Sequence, residues 1–348
     1  MKLKHIHIDN YKVFKDFDID FCLKGKPQSL IVISGDNGSG KTTLFRDIIS
    51  GIVITNKSKS IITAQEDNNI YTFTLPAQSE TEEEKYIKNF SKVRFYPTDT
   101  NISATQLQDK ILSYVDKLVY EDSKTNFEAY AEIQSLIDNI FKGFDLQISF
   151  KGISQNKQFV FVNPAKEEFG IEGLSNGEQQ ILSKVFVLFI ETIKDHVILI
   201  DNLEKSLHPV WQIRILSVLR SYAKSHDCQI MVITQSPLII ASAHKEEIRF
   251  FIRENDGFVK AKALNDSPYG WTIEKVLSKI QAVQYRRVPE IEDKLSKLEE
   301  LIRKDKYDSD EFKQLLTAME KMLGFSDPDL ALIRMEAIRK KKIASNRL

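Results

Sequence analysis

The sequence predicts an α/β fold with a mostly parallel sheet, an N-terminal β subdomain, a helical insertion and a C-terminal helical appendage. Three observations carry this reading. Short apolar, β-branched runs alternate with segments of helical period. A glycine-rich loop, Gly35 to Lys41, lies between one such run and a helical pattern. From Ser267 onward the texture changes to apolar stripes at helical spacing.

Leu3, His5 and His7 alternate with Lys4, Ile6 and Ile8, predicting a first strand with Asn10-Tyr11 as its turn. Phe17, Ile19 and Phe21 alternate as a second strand. Leu30–Ser34 is continuous and apolar, as in strands buried on both faces. A helix is expected from Thr42 to about Ile52. Residues 56–95 read as short strands plus an exposed charged loop, Ser79–Lys85. Apolar residues at helical spacing from Leu107 to Ile140 predict a helical insertion over about 100–143. Leu146–Phe150 and Phe159–Val162 are expected strands, and Glu178–Ile193 and Trp211–Ser225 expected helices. Val197–Ile200, Ile230–Thr234 and Ile248–Arg253 read as further buried strands. The stripes Ile291–Ile302, Phe312–Leu323 and Leu330–Ile338 predict three terminal helices, the last starting at Asp327-Pro328-Asp329. The expected domains are a head over 1–265 and the appendage over 266–348.

Across 348 residues, Lys+Arg and Asp+Glu are each 49, so the formal net charge is zero. A neutral chain is no global polycation, and any nucleic-acid contact needs a local patch. Arg339–Lys342, with Arg347, and the Arg286-Arg287 pair are small basic candidates. Cys22 and Cys228 lie far apart and fit a reducing cytoplasm. The opening MKLKHIHIDN has no apolar h-region, so no signal peptide is expected, and no run is long enough to span a bilayer. The six histidines, His5, His7, His196, His208, His226 and His244, show no metal-ligand spacing. Asp308–Glu311 reads as a helix cap.

Gly35-Asp36-Asn37-Gly38-Ser39-Gly40-Lys41-Thr42 matches GxxxxGK[ST] after a buried strand and before a helix, the context of a phosphate-binding loop. Its glycines let backbone N–H groups close around phosphates, and the helix N-terminus adds partial positive charge. Lys41 supplies a point charge and Thr42 a hydroxyl for Mg²⁺, with Thr43 beside it. Ser175 and Glu178 form an S-x-x-E capping box in Leu174-Ser175-Asn176-Gly177-Glu178-Gln179-Gln180. Val197–Ile200 then ends in Asp201.

GDNGSGKT, LSNGEQQ, VILIDNLEKSLHP and VITQSP, in this order, resemble the P-loop ABC-type ATPase heads of the SMC/RecF/OLD group. IHIDNYKVF resembles their first strand and nucleotide-facing turn, and the resemblance covers about residues 1–255. It implies ATP and Mg²⁺ as ligands, with Asn37, Gly38, Ser39, Gly40, Lys41, Thr42 and Thr43 at the phosphates and Thr42 and Asp201 at the metal. It places Ser175, Gly177 and Glu178 at the nucleotide of a second copy in an ATP-sandwich homodimer, and Ser206, Leu207 and His208 at the seam. Lys12 falls where a basic residue touches phosphate or base. Gln106 is a candidate lid glutamine. Two departures matter. Asn202 stands where the family has its general-base Glu, and Gln235 where it often has a switch His. An amide orients water but accepts no proton, so slow or absent hydrolysis is expected, with Glu204 the nearby carboxylate that would substitute.

The chain shows neither a nuclease module nor a long coiled coil, so a partner is expected to supply any effector. The terminal helices resemble, more loosely, those of stand-alone bacterial head ATPases such as the Septu type, which pair with an HNH nuclease in anti-phage defence. The tail is the expected partner surface, and its Ile291–Ile302 stripe suits either a helix pair or a partner groove. The resemblance therefore implies a regulatory ATP-binding subunit, with a RecF-like ATP-dependent DNA clamp as the alternative reading.

Overall fold

The structure is a computed structural model that describes residues 1–50, 59–67, 69–75, 79–97, 103–154, 156, 158–186, 188, 194–205, 207–283 and 287–345. It divides into two compact units, Met1–Val276 and Leu277–Leu348.

The strands of the first unit are β1 (Lys2–Tyr11), β2 (Phe14–Asp20), β3 (Cys22–Leu23), β4 (Lys26–Pro27), β5 (Leu30–Gly35), β6 (Ser60–Glu66), β7 (Asn69–Leu75) and β8 (Val93–Tyr96). They continue as β9 (Ser149–Ile153), β10 (Phe159–Val162), β11 (Glu168–Phe169), β12 (Val197–Ile200), β13 (Gln229–Ile233), β14 (Ile248–Arg253) and β15 (Val259–Lys262). Ten of them form one sheet in the order β7-β6-β1-β2-β15-β14-β5-β13-β12-β8. From β8 to β14 every pairing is parallel, whereas β1, β2, β6 and β7 pair antiparallel. Every residue of β5, β12 and β13 is buried, which explains their uninterrupted apolar runs. Phe14, Phe17 and Phe251 form an aromatic cluster in the core, with ring centroids 4.5–6.2 Å apart.

The first strand departs from strict alternation. The β1–β6 register shifts between Leu3 and His5, so an extra residue in β1 brings Leu3 onto the core face with Ile6 and Ile8. The turn also moves. Tyr11 still pairs with Phe14, and Lys12-Val13 makes the bend, with Lys12 at φ 54°. This hairpin sets His7 opposite Asp18, and a donor group of His7, Asp16 and Asp18 forms that linear spacing does not reveal.

The helices of this unit begin with α1 (Lys41–Thr43), which continues as a wider i→i+5 helix over Leu44–Ile49. The expected continuation to Ile52 lies outside the described residues. Residues 80–90 form α2 (Glu80–Phe90) rather than a loop. Ser79 accepts from the Glu82 N–H, and three Glu in the first turn favour the helix N-terminus. The insertion is two helices, α3 (Ala104–Tyr120) and α4 (Asn126–Phe144), each opened by a capping box. The α5 helix (Asn176–Ile181) runs on through Leu182–Phe186, α6 is Pro209–Ser225 and α7 is Pro237–Ile240. After α8 (Ile273–Lys279) the second unit holds α9 (Pro289–Arg303), α10 (Asp310–Leu323) and α11 (Pro328–Ser345).

In the second unit the Ile291–Ile302 stripe is consumed internally. Leu295, Leu298, Leu301 and Ile302 pack with Phe312, Met319, Leu330 and Ile333, so the stripe serves helix pairing within the unit rather than a partner groove. Ser309 caps α10 by accepting from the Phe312 N–H. Four of the basic candidates are charge-paired: Arg287 with Asp327 and Asp329, Arg339 with Glu336, Lys340 with Asp305, and Lys341 with Asp308. Arg286 and Arg347 lie outside the described residues.

Phe17→Ala opens a cavity in the aromatic cluster of the head. It is expected to cost about 3–5 kcal/mol of stability, read as a lower urea midpoint in equilibrium unfolding.

Candidate functional site

The three parallel strands β5, β13 and β12 end at one edge of the sheet, and their following loops build a cleft of about 250 Å³. Lys12, Val13, Asn37, Gly38, Gly40, Lys41, Thr42, Thr43, Asn202, Ile233 and Gln235 line it. The loop after β5 needs its glycines. A Cβ on Gly40 (φ 83°) would stand 2.6 Å from Val13 Cγ2 and 2.7 Å from Phe14 Cζ. A Cβ on Gly35 would stand 2.4 Å from the Phe251 carbonyl oxygen. The β1–β2 hairpin and β14 thus press directly on the loop.

Lys41 is buried and curls into its own loop. Its Nζ donates to the Gly35 oxygen (2.8 Å), the Asp36 oxygen (2.7 Å) and Ser39 Oγ (3.2 Å). Burial pushes its pKa down, opposed by Asp36, Asp201 and Glu204. Thr42 Oγ1 donates to Asp201 Oδ2 at 2.9 Å. Two hard oxygen donors, 159 residues apart in sequence, therefore converge beside the phosphate loop, and this donor chemistry fits Mg²⁺.

Glu204 does not face the cleft as a free base. Its Oε2 accepts from Thr234 Oγ1 (2.8 Å) and its Oε1 from the Gln235 N–H (2.8 Å). The carboxylate holds the loop after β13 in place. Gln235 Nε2 in turn donates to Asn37 Oδ1 (2.6 Å), joining that loop to the phosphate loop. Asn202 lines the cleft at φ 48°, a left-handed conformation that Asn tolerates better than Glu.

Ser175 and Glu178 close their capping box. Glu178 Oε2 accepts from the Ser175 N–H (2.7 Å) and Ser175 Oγ from the Glu178 N–H (3.3 Å). Among the described residues, Ser175, Gly177 and Glu178 line no part of the cleft of their own chain. A Cβ on Gly177 would stand 2.2 Å from the Trp211 ring, so packing alone requires this glycine. Gln106 is spent in the α3 cap, where it accepts from the Ser103 N–H (3.0 Å). Ser206 lies outside the described residues.

Lys12 lines the cleft but is paired. Its Nζ donates to Asp47 Oδ2 (2.5 Å), as does the Tyr11 hydroxyl (3.2 Å), while Arg46 Nε donates to Asp47 Oδ1 (2.8 Å). Burial would raise the Asp47 pKa, yet the hydrogen bonds and charges of Arg46 and Lys12 prevail and hold it below its ordinary value.

Sequence reasoning missed three residues, all placed by long-range contacts. Asp47 anchors Lys12. Arg253, at the end of β14, donates to the Gly38 oxygen (2.7 Å) and braces the phosphate loop. Gln212 donates to the Leu207 oxygen (2.8 Å) and accepts from Ser236 Oγ (2.6 Å), tying the loop after β12 to the loop after β13. The only advance signals were the residue types themselves.

The fold is that of an SMC-like ATPase head. Residues 70–241 match the family described as "AAA domain, putative AbiEii toxin, Type IV TA system". The chain is similar to the Septu protein PtuA of Bacillus thuringiensis, 22% identical over 242 residues, covering 65% of this chain and 58% of that protein. It is also similar to the "Retron Vc95 probable ATPase" of Vibrio cholerae serotype O1 biovar El Tor, 24% identical over 232 residues, covering 62% of this chain and 45% of that protein. The chain spans about half the length of these curated relatives. Among solved structures, an SMC head bound to the C-winged helix domain of ScpA superposes with a TM-score of 0.56 at 16% identity, covering 76% of this chain and 98% of that one.

Gly40→Ala is expected to abolish nucleotide binding in equilibrium dialysis, because the loop must move off the hairpin to admit the methyl group. Asp47 gives a pH test. Its folded pKa lies below the ordinary 3.8, so its stabilising contribution is complete above that value and fades as pH falls through the folded one. The stability gap between the parent and Asp47→Asn is expected to be constant near neutrality and to shrink below about pH 4 in denaturant titrations.

Proposed function

We propose that the chain binds ATP with Mg²⁺ in this cleft, pairs with a second copy across it, and controls a separate nuclease, such as an HNH protein, in prokaryotic anti-phage defence. Hydrolysis is slow or absent, and ATP serves as dimer glue or signal. The observation that carries the hydrolysis claim is the engagement of both Glu204 oxygens by Thr234 and Gln235. With Asn202 at the adjoining position and Glu204 directed to the loop after β13 rather than lining the cleft, no carboxylate next to Asp201 is aimed at the attacking water.

Each residue then has a task. Gly38, Ser39 and Gly40 present backbone N–H groups to phosphates, and Lys41 exchanges its loop carbonyls for phosphate oxygens. Thr42 and Asp201 hold Mg²⁺, which when bound neutralises phosphate charge. Asn202 and Gln235 orient water and the terminal phosphate without moving a proton. Ser175, Gly177 and Glu178, exposed or half-buried on α5, reach the nucleotide of the second copy, and Lys12 steadies the near rim.

Likeness to PtuA and to the retron ATPase supports the defence role. The partner reading is supported by apolar side chains left in solvent on the second unit, where Leu332 is 64% and Met335 66% exposed. Such side chains mark association surfaces when they group together. No helix among the described residues is long and apolar enough to cross a membrane.

The test incubates the full chain with Mg²⁺–ATP for hours and measures how much bound nucleotide remains ATP. Retained ATP is expected, with no retention in Lys41→Ala. Asn202→Glu is expected to raise turnover by about 10²-fold or more, although Glu must adopt a left-handed backbone there. Rapid turnover to ADP by the parent, or metal-dependent nuclease activity of the chain alone, would sink the proposal. Size-exclusion chromatography in ATP tests the pairing, and an unchanged monomer would refute it.

A further inference from the structure

The open face of the β1–β2 hairpin carries a donor set unrelated to the nucleotide cleft. His5, His7 and Asp9 recur at every second residue of β1, with Asp18 opposite His7 on β2 and Asp16 two residues before it. The other face of the same hairpin buries Ile6, Ile8, Phe17 and Ile19 in the core, so the backbone beneath the donors is fixed.

The distances converge. His7 Nδ1 and His5 Nε2 each lie 3.0 Å from the same oxygen, Asp18 Oδ1. One ligand atom from each of His7, Asp16 and Asp18 falls within 4.8 Å of the others. The remaining ring nitrogen of His7, Nε2, lies 2.8 Å from Asp9 Oδ1. That last contact separates this group from an ordinary acidic cluster. A metal-ligating histidine characteristically gives its second N–H to a carboxylate, which fixes its tautomer and orientation. Here Asp9 is already placed for that role while Nδ1 faces Asp18.

We propose that His7, Asp16 and Asp18 bind a divalent transition-metal ion of the zinc type, with His5 beside Asp18 at the rim of the set. Mixed imidazole and carboxylate donors suit Zn²⁺, whereas Mg²⁺ and Ca²⁺ prefer oxygen alone. Lys260 Nζ lies 3.7 Å from Asp16 Oδ2, and the ion displaces this weak pairing. The site joins two strands whose connecting turn, Lys12-Val13, lines the nucleotide cleft, so an ion there stiffens one wall of that cleft. The inference stands independently of the proposed function.

The experiment is isothermal titration of Zn²⁺ into the full, chelator-treated, nucleotide-free chain, with Asp18→Asn, His7→Gln and Cys22→Ser variants. Melting temperatures in chelator confirm that each variant folds as the parent does. One saturable equivalent is expected, weakened about tenfold or more by Asp18→Asn and by His7→Gln and unchanged by Cys22→Ser. No saturable binding overturns the proposal. So does binding that survives both hairpin substitutions, or binding that depends on Cys22.

Discussion

The cleft rests on the parallel ladder of β5, β13 and β12. Ile33 pairs with Ile233 and Ile200 with Val232, so the three strands end level with one another. That common end lets the Thr42 hydroxyl reach Asp201 and brings Gln235 to Asn37. The ladder is rigid because its residues are buried on both faces, and every backbone group inside it must be paired. Side chains at its end inherit positions they could not hold on isolated loops.

A second layer of contacts fixes the loops relative to each other. Glu204 holds the loop after β13 through two hydrogen bonds, and Gln212 ties that loop to the one after β12. Arg253 braces the phosphate loop from β14. A shift in one loop is thereby felt in the others, since each shares a hydrogen-bonded partner with its neighbour. The carboxylate nearest Asp201 along the chain is thus occupied in holding structure, and Asn202 is the polar side chain that lines the cleft beside it.

The parts legible in the sequence were those whose chemistry is local. Lys41 and Thr42 follow from a short motif, and Asp201 from four apolar residues before it. The strands from Leu30, Val197 and Ile230 were equally clear because burial on both faces leaves no polar positions. What failed depended on distant partners or on a competing local signal. The bulge near Lys4 turned Leu3 to the other face, since alternation cannot register an inserted residue. The four Glu of Ser79–Lys85 read as a loop, although the serine three residues before Glu82 was a cap. The Ile291–Ile302 stripe left a helix pair and a partner groove both open because a helix face does not reveal which apolar face covers it. His7 and Asp18 meet only because the chain reverses between them.

The posture of Lys41 has a kinetic consequence. Its ammonium already sits within the loop, held by two carbonyls and a hydroxyl of the same loop. These contacts keep the loop curled before any phosphate arrives. In the proposed ATP complex, an incoming polyphosphate meets a preorganised cradle, and its encounter costs little chain ordering. It must instead draw the ammonium away from its resident oxygens. On that proposal, selectivity at the threshold falls on charge: a neutral nucleoside has nothing to exchange for those three hydrogen bonds, whereas a phosphate tail replaces them with stronger, charge-assisted ones.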